Sequence, residues 1–193
     1  MAKNYKENAE EIEVLVLKAQ KGNQEAFAEL YDIFIDLIYR YVYYRVNQAD
    51  VEDVVENIFL KIWENVRKYR QQKNTHFSSW IFRIAHNMVI DYYRSNKVHE
   101  YDELDLNLVD HDREHNPIRK TQDSLNQRDL KAALTKVKKQ YRDILIYKFI
   151  NELSNKEVSQ ILKKSEGSLR ILQFRALRAL KKELIEMGIS YKF

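Results

Sequence analysis

The side chains best placed to do chemistry lie between Leu153 and Lys182, in LSNKEVSQILKKSEGSLRILQFRALRALKK. Arg170, Phe174, Arg178 and Lys181 recur at steps of four, four and three, with Arg175 and Lys182 beside them. On a helix that spacing gathers guanidinium and ammonium groups and one aromatic ring along a single line. Such a line recognises rather than reacts: it can hold phosphates and meet base edges in a DNA major groove. Spacing alone fits an ordinary amphipathic helix with a solvated basic face equally well.

The elements that must position this line are legible around it. Ser154 suits an N-cap and Glu157 completes a capping box. Val158, Ile161 and Leu162 then share one helical face. Lys163-Lys164-Ser165 breaks the pattern, and Ser165 can cap a second helix whose apolar line is Leu169, Leu172, Ala176 and Leu180. Two short helices with such a break between them read as a helix-turn-helix.

Other chemistry finds little support. The 193 residues hold no cysteine, which removes disulfides, thiolate metal sites and a cysteine nucleophile. His111 and His115 stand four apart among carboxylates, but a solvated polar tract is the simpler reading than a metal site. No Gly-rich phosphate loop, paired-carboxylate motif or nucleophile–base spacing is present, so no enzyme, cofactor or small-molecule substrate is expected. No apolar run approaches the ~20 residues that span a bilayer. The first residues have no apolar signal core, and a soluble cytoplasmic protein is expected.

Only 3 Gly and 1 Pro interrupt the chain, while 45% of its residues are hydrophobic, so an all-helical fold with real cores is expected. Charge divides it into segments. Residues 1–99 are neutral, 100–125 carry a net −5 and 126–193 a net +9, which together give the +4 of the chain. The basic third is the nucleic-acid candidate. The spacing predicts helices over Glu10–Lys21, Gln24–Val46, Val51–Tyr69 and Phe77–Ser95, with Asp50 capping the third and a polar loop over Arg70–His76. Residues 98–124 lose periodicity and form an acidic linker. Helices near Leu125–Val137, Gln140–Ile150, Asn155–Leu162 and Glu166–Met187 follow. The expectation is therefore two small helical domains, 1–97 and 125–193, joined by the linker 98–124.

Three stretches resemble the extracytoplasmic-function (ECF) class of sigma-70 family sigma factors. Residues 50–59, DVEDVVENIF, are similar to the family's DAEDLTQEVF, with Lys61-Ile62-Trp63 following. Residues 77–94, FSSWIFRIAHNMVIDYYR, resemble FRTWLYRIARNLAIDYLR. The helix-turn-helix resembles LSYEEIAEILGISVGTVKSRLHRARKRL. They lie in the family's order and span roughly residues 10–97 and 126–187.

The resemblance implies a promoter-specificity subunit of RNA polymerase, with a σ2-like and a σ4-like domain. Asp50, Asp53 and Glu56 fall where the family's acidic helix docks on core polymerase, although Asp50 and Asp53 can also serve their own helix as cap and dipole partner. Asn87 matches the family's asparagine in RNLAID and is the best base-reading candidate at the −10 element. Arg83 and Arg94 are candidate phosphate contacts there, and Tyr92 or Tyr93 can stack on unpaired bases. Lys73, Asn74 and His76 lie in the loop similar to the family's base-capture loop. Phe77 and Trp80 sit on an apolar stripe and are read as core. Ser168, Arg170, Ile171, Phe174, Arg175 and Arg178 fall on the −35-reading helix, where Ile171 can meet a thymine methyl or pack internally. Val55-Glu56-Asn57 departs from the family's Thr-Gln-Glu, and Lys163 from its turn glycine.

The partners implied are core RNA polymerase and promoter DNA, with an anti-sigma factor an open further one, and the free chain is expected to be a monomer. Two rival readings stay open. One is a stand-alone regulator that binds duplex DNA without polymerase, as a dimer. The other is an interaction protein that binds polymerase without promoter function. The Val55–Asn57 departures fit the last, while Asn87 and the Arg170/Arg175 pattern argue against it.

Overall fold

Apolar stripes at helical spacing become helices packed on those stripes. The computed structural model describes residues 9–71, 76–95 and 121–189, the side chains of 121–126 aside, and every regular element among them is helical. Helix α1, Ala9–Gln20, falls within a residue of the expected Glu10–Lys21 and buries Ile12, Leu15, Val16 and Ala19. Gly22, at φ 91, turns the chain out of it in a conformation that side chains resist. Asn23 then accepts the Ala26 N–H at 2.6 Å and caps α2, Gln24–Tyr43.

Helix α2 stops three residues before the expected Val46. The Arg45 and Val46 amides both bond back to the Val42 carbonyl, at 2.8 and 3.1 Å, and this turn swings Arg45 into the interior. A short 3-10 turn, Gln48–Asp50, leads into α3, Val51–Val66. Asp50 holds the N-cap position without capping. Its carboxylate instead accepts the Tyr92 hydroxyl at 2.5 Å, so a tertiary bond displaced the local one. Helix α4, Phe77–Ser95, lays Phe77, Ile81, Phe82, Ala85 and Val89 on the same core. Phe77 is buried and the half-buried Trp80 packs on it at 5.3 Å and on Tyr69 at 5.2 Å.

Four more helices follow: α5, Thr121–Lys136; α6, Lys139–Leu145; α7, Asn155–Leu162; and α8, Glu166–Glu186. Arg142 is buried against the end of α5, where its Nε and Nη2 donate to the Leu134 and Thr135 carbonyls at 2.7 and 2.5 Å. A guanidinium there answers carbonyls that have no helical partner. A wider π turn, Ile146–Ile150, extends α6 and places Tyr147 inward.

The capping box forms as read: Glu157 N–H donates to the Ser154 hydroxyl at 3.2 Å, and Ser154 N–H to Glu157 Oε2 at 2.8 Å. Lys163 ends α7 in the left-handed region, φ 52 and ψ 44, a conformation that costs a side chain about 1–2 kcal/mol. Ser165 then accepts the Ser168 N–H at 3.2 Å and caps α8. Most of the buried apolar residues form one continuous cluster running through both halves of the chain.

Candidate nucleic-acid interface

Leu169 and Ala176 are buried and anchor α8. The opposite face points outward. Ser168, Arg170, Arg175 and Arg178 are exposed, as are Ile171 at 57% and Phe174 at 63%. Ile171 therefore takes the outward of its two readings. An isoleucine and a phenylalanine left in water among arginines suit a surface that meets both phosphates and base methyl groups. The Arg178 guanidinium lies 5.9 Å from the Phe174 ring centre, and the Ser168 hydroxyl pairs with Ser165 at 2.8 Å.

Arg83, Asn87 and Arg94 lie on the exposed side of α4, one helical face given their spacing of four and seven. Arg94 meets Asp91 at 3.4 Å in an exposed pair of small energetic weight. Tyr92 and Tyr93 are half-buried and pack edge to face at 5.3 Å. The Tyr92–Asp50 bond ties a candidate base-stacking residue to a candidate polymerase contact. His76 is exposed just before α4, whereas Lys73 and Asn74 lie outside the described residues, as do His111 and His115.

Asp53 and Glu56 are exposed on α3. Glu56 borders an apolar groove of about 470 Å³ lined also by Phe27, Tyr31, Phe59, Leu60 and Trp63. Trp63 is half-buried at this rim, edge-on to Phe27 at 4.8 Å. Leu60 is 60% exposed. An acidic edge beside an exposed apolar groove is a surface for a protein partner.

The family model of Sigma-70 region 2 matches residues 30–98, and that of Sigma-70, region 4 matches residues 127–180. Over 171 residues the chain is 33% identical to the ECF RNA polymerase sigma factor BldN of Streptomyces coelicolor, covering 86% of this chain and 63% of BldN. The chain belongs to the ECF class of the sigma-70 family. This sigma factor is also 28% identical over 183 residues to the ECF RNA polymerase sigma factor SigW of Bacillus subtilis, with 89% and 96% of the two chains covered. It thus spans less than two thirds of BldN and nearly all of SigW. Its fold is similar to that of CnrH, solved in complex with the cytosolic domain of CnrY: TM-score 0.67, 22% identity, 90% of this chain and 96% of that one covered.

The two matched regions of the sigma factor meet through buried polar side chains that the sequence did not single out. Arg45 and Asp143, 3% and 7% exposed, form an ion pair. The guanidinium also lies 4.3 Å from the Tyr41 ring centre and 5.2 Å from that of Tyr147. The Tyr41 and Tyr147 hydroxyls pair at 3.0 Å, and both approach His86 Nδ1, at 3.4 and 3.2 Å. Burial pushes the Tyr147 phenol well above its ordinary value, so it stays a neutral donor. Ser78 donates to Glu157 Oε1 at 2.6 Å, and Asn151 Nδ2 to the Leu37 carbonyl at 2.7 Å. Lys131 Nζ donates to the Val46 carbonyl at 3.1 Å, over the Tyr43 ring, and burial pulls its ammonium down to about 8.

Burial, and then the nearby Arg45 charge, lower the affinity of His86 for a proton. The folded chain therefore binds fewer protons than the unfolded one just below the ordinary histidine value of about 6.5. Stability is expected to fall as pH drops from 7.5 to 5.5, read as the midpoint of urea unfolding. The drop should shrink in a His86→Gln variant. Equal pH dependence in both proteins contradicts the assignment to His86.

Proposed function

We propose that this sigma factor binds core RNA polymerase and directs it to promoters by reading a −10 and a −35 element. Residues 1–97 would dock on core and open the −10 region, 98–124 would link, and 125–193 would read the −35 element. The observation that carries this is the outward face of Ser168, Arg170, Ile171, Phe174, Arg175 and Arg178, in one chain with the exposed Arg83, Asn87 and Arg94.

On duplex DNA, the α8 arginines would supply bidentate donors to guanine or hold phosphates, and Ile171 an apolar contact to a thymine methyl. At the −10 element, Asn87 would read an unpaired base by amide hydrogen bonds, with Arg83, Arg94, Lys73, Asn74 and His76 on the backbone and Tyr92 as a stacking platform. The Asp53–Glu56 edge and its apolar groove would receive core polymerase, the carboxylates orienting and the groove supplying burial. In this role the protein is not an enzyme, works inside the cell and uses no cofactor, since polymerase does the chemistry. No helix among the described residues is long and apolar enough to cross a membrane. An anti-sigma factor is a further partner in this reading, as the resemblance to the ECF class implies.

The test is promoter-duplex binding by the full chain with and without core polymerase. Tight, sequence-dependent binding is expected only with core. Equally tight binding by the chain alone would favour a stand-alone regulator. Within the complex, Arg175→Ala is expected to weaken initiation from −35-dependent promoters by about 1–3 kcal/mol, ~5- to 150-fold. Unchanged initiation would remove Arg175 from the reading face.

A further inference from the structure

Lys163 holds a conformation that nothing inside the chain rewards. It ends α7 at φ 52 and ψ 44, in the left-handed region that glycine enters freely and a lysine resists. The Lys163 and Lys164 amides both donate to the Ser159 carbonyl, the second at 3.2 Å, and so hold the turn. A glycine would make the same backbone bonds. The Lys163 side chain is exposed, and among the described residues its ammonium makes no hydrogen bond or ion pair. A cation at the end of α7 suits the helix dipole, but the exposed Lys164 beside it supplies one without a positive φ. A strained conformation that no internal contact offsets points to a partner outside the chain.

We propose that Lys163 holds a phosphate of the DNA duplex beside the −35 element, where a glycine would relieve the turn but leave no charge. The inference rests on the function proposed above.

The place of the turn supports this partner. Lys163 stands just ahead of Ser165, which caps α8. A recognition helix meets base edges with its N-terminal residues, inside a groove only about 12 Å wide between two phosphate strands. A long basic side chain beside that helix start therefore meets a strand backbone rather than a base. Such a contact fixes the register of α8 on the duplex and carries no sequence preference of its own. It complements Arg170 and Arg175, whose exposed guanidiniums lie further along α8 where bases can be read.

Lys163→Gly should move stability and DNA binding in opposite directions. Urea unfolding of the full chain should show a higher midpoint than the parent, because the strain is gone. Binding to a promoter duplex by the chain with core polymerase should weaken about five- to tenfold near 100 mM salt. The loss should be the same with and without a −35 match, and the log–log salt slope between about 50 and 200 mM should become shallower by about 0.9. Lys163→Arg keeps the charge and should bind as the parent does. An unchanged slope in Lys163→Gly overturns the inference by removing the phosphate. A lower urea midpoint overturns it by placing the compensation inside the chain. A parent complex with no promoter preference overturns the proposed function instead. The slopes on plain duplex then decide Lys163 alone: a difference of about 0.9 upholds the contact and equal slopes remove it.

Discussion

Asp143→Ala is expected to cost the packing of the two matched regions of the sigma factor about 3–5 kcal/mol, because it strands a buried guanidinium without its anion. Arg45 is 3% exposed and has its Nε and Nη2 without hydrogen-bond partners, so Asp143 is the acceptor that answers its charge. The faces of Tyr41 and Tyr147 help a cation but cannot replace a carboxylate. The cheapest relief is for the two sides to part and let Arg45 rehydrate. The loss should therefore show in urea as an early transition, before the helices melt. Exchanging both partners, Arg45→Met with Asp143→Leu, should restore most of the loss, because it removes the stranded charge as well as the attraction. An Asp143→Ala midpoint equal to that of the parent contradicts this account of the pair.

Phe34→Ala is expected to destabilise the N-terminal helices by a similar amount, about 3–5 kcal/mol. Phe34 is 0% exposed and meets Phe77 edge to face at 5.9 Å, at the join of α2 and α4. Truncation leaves a hole between two helices already held by other contacts, so the site can collapse only partly. Phe34→Leu fills most of that volume and should cost no more than about 1.5 kcal/mol. The two variants predict different patterns. Phe34→Ala should lower the main unfolding transition, whereas Asp143→Ala should split an early one from it. A Phe34→Ala protein as stable as Phe34→Leu would mean that α2 and α4 repack freely.

Local chemistry made much of this legible in the sequence. Ser154 and Glu157 lie three residues apart, and the distant Ser78 hydroxyl takes only the other carboxylate oxygen of Glu157, so the box forms as read. The stripe Ile12, Leu15, Val16 and Ala19 packs inward for the same reason of spacing. On α8 the exposed basic line followed directly once the apolar line was assigned.

Failures occurred where a distant partner outbid a local one. Asp50 looks like a cap from its neighbours, yet a hydroxyl 42 residues away takes its carboxylate. Arg45 and Asp143 are separated by 98 residues and belong to types usually found at the surface. The one signal in the sequence was an arginine set inside the aromatic and apolar run Tyr41–Val46. The groove beside Glu56 was equally hidden, because Trp63 and Phe59 fit the core stripe of α3 and only packing shows which of them reaches the rim.

The most direct measurement of the proposed function is to reconstitute the protein with core RNA polymerase on a library of promoter fragments and map the transcript starts. The account predicts starts that appear only when the protein is added and that lie downstream of a recurring pair of elements, one near −35 and one near −10. Asn87→Ala should relax the preference at the −10 element, and Arg175→Ala that at −35. A protein that fails to join core polymerase, or that joins it without directing any start, would contradict the account.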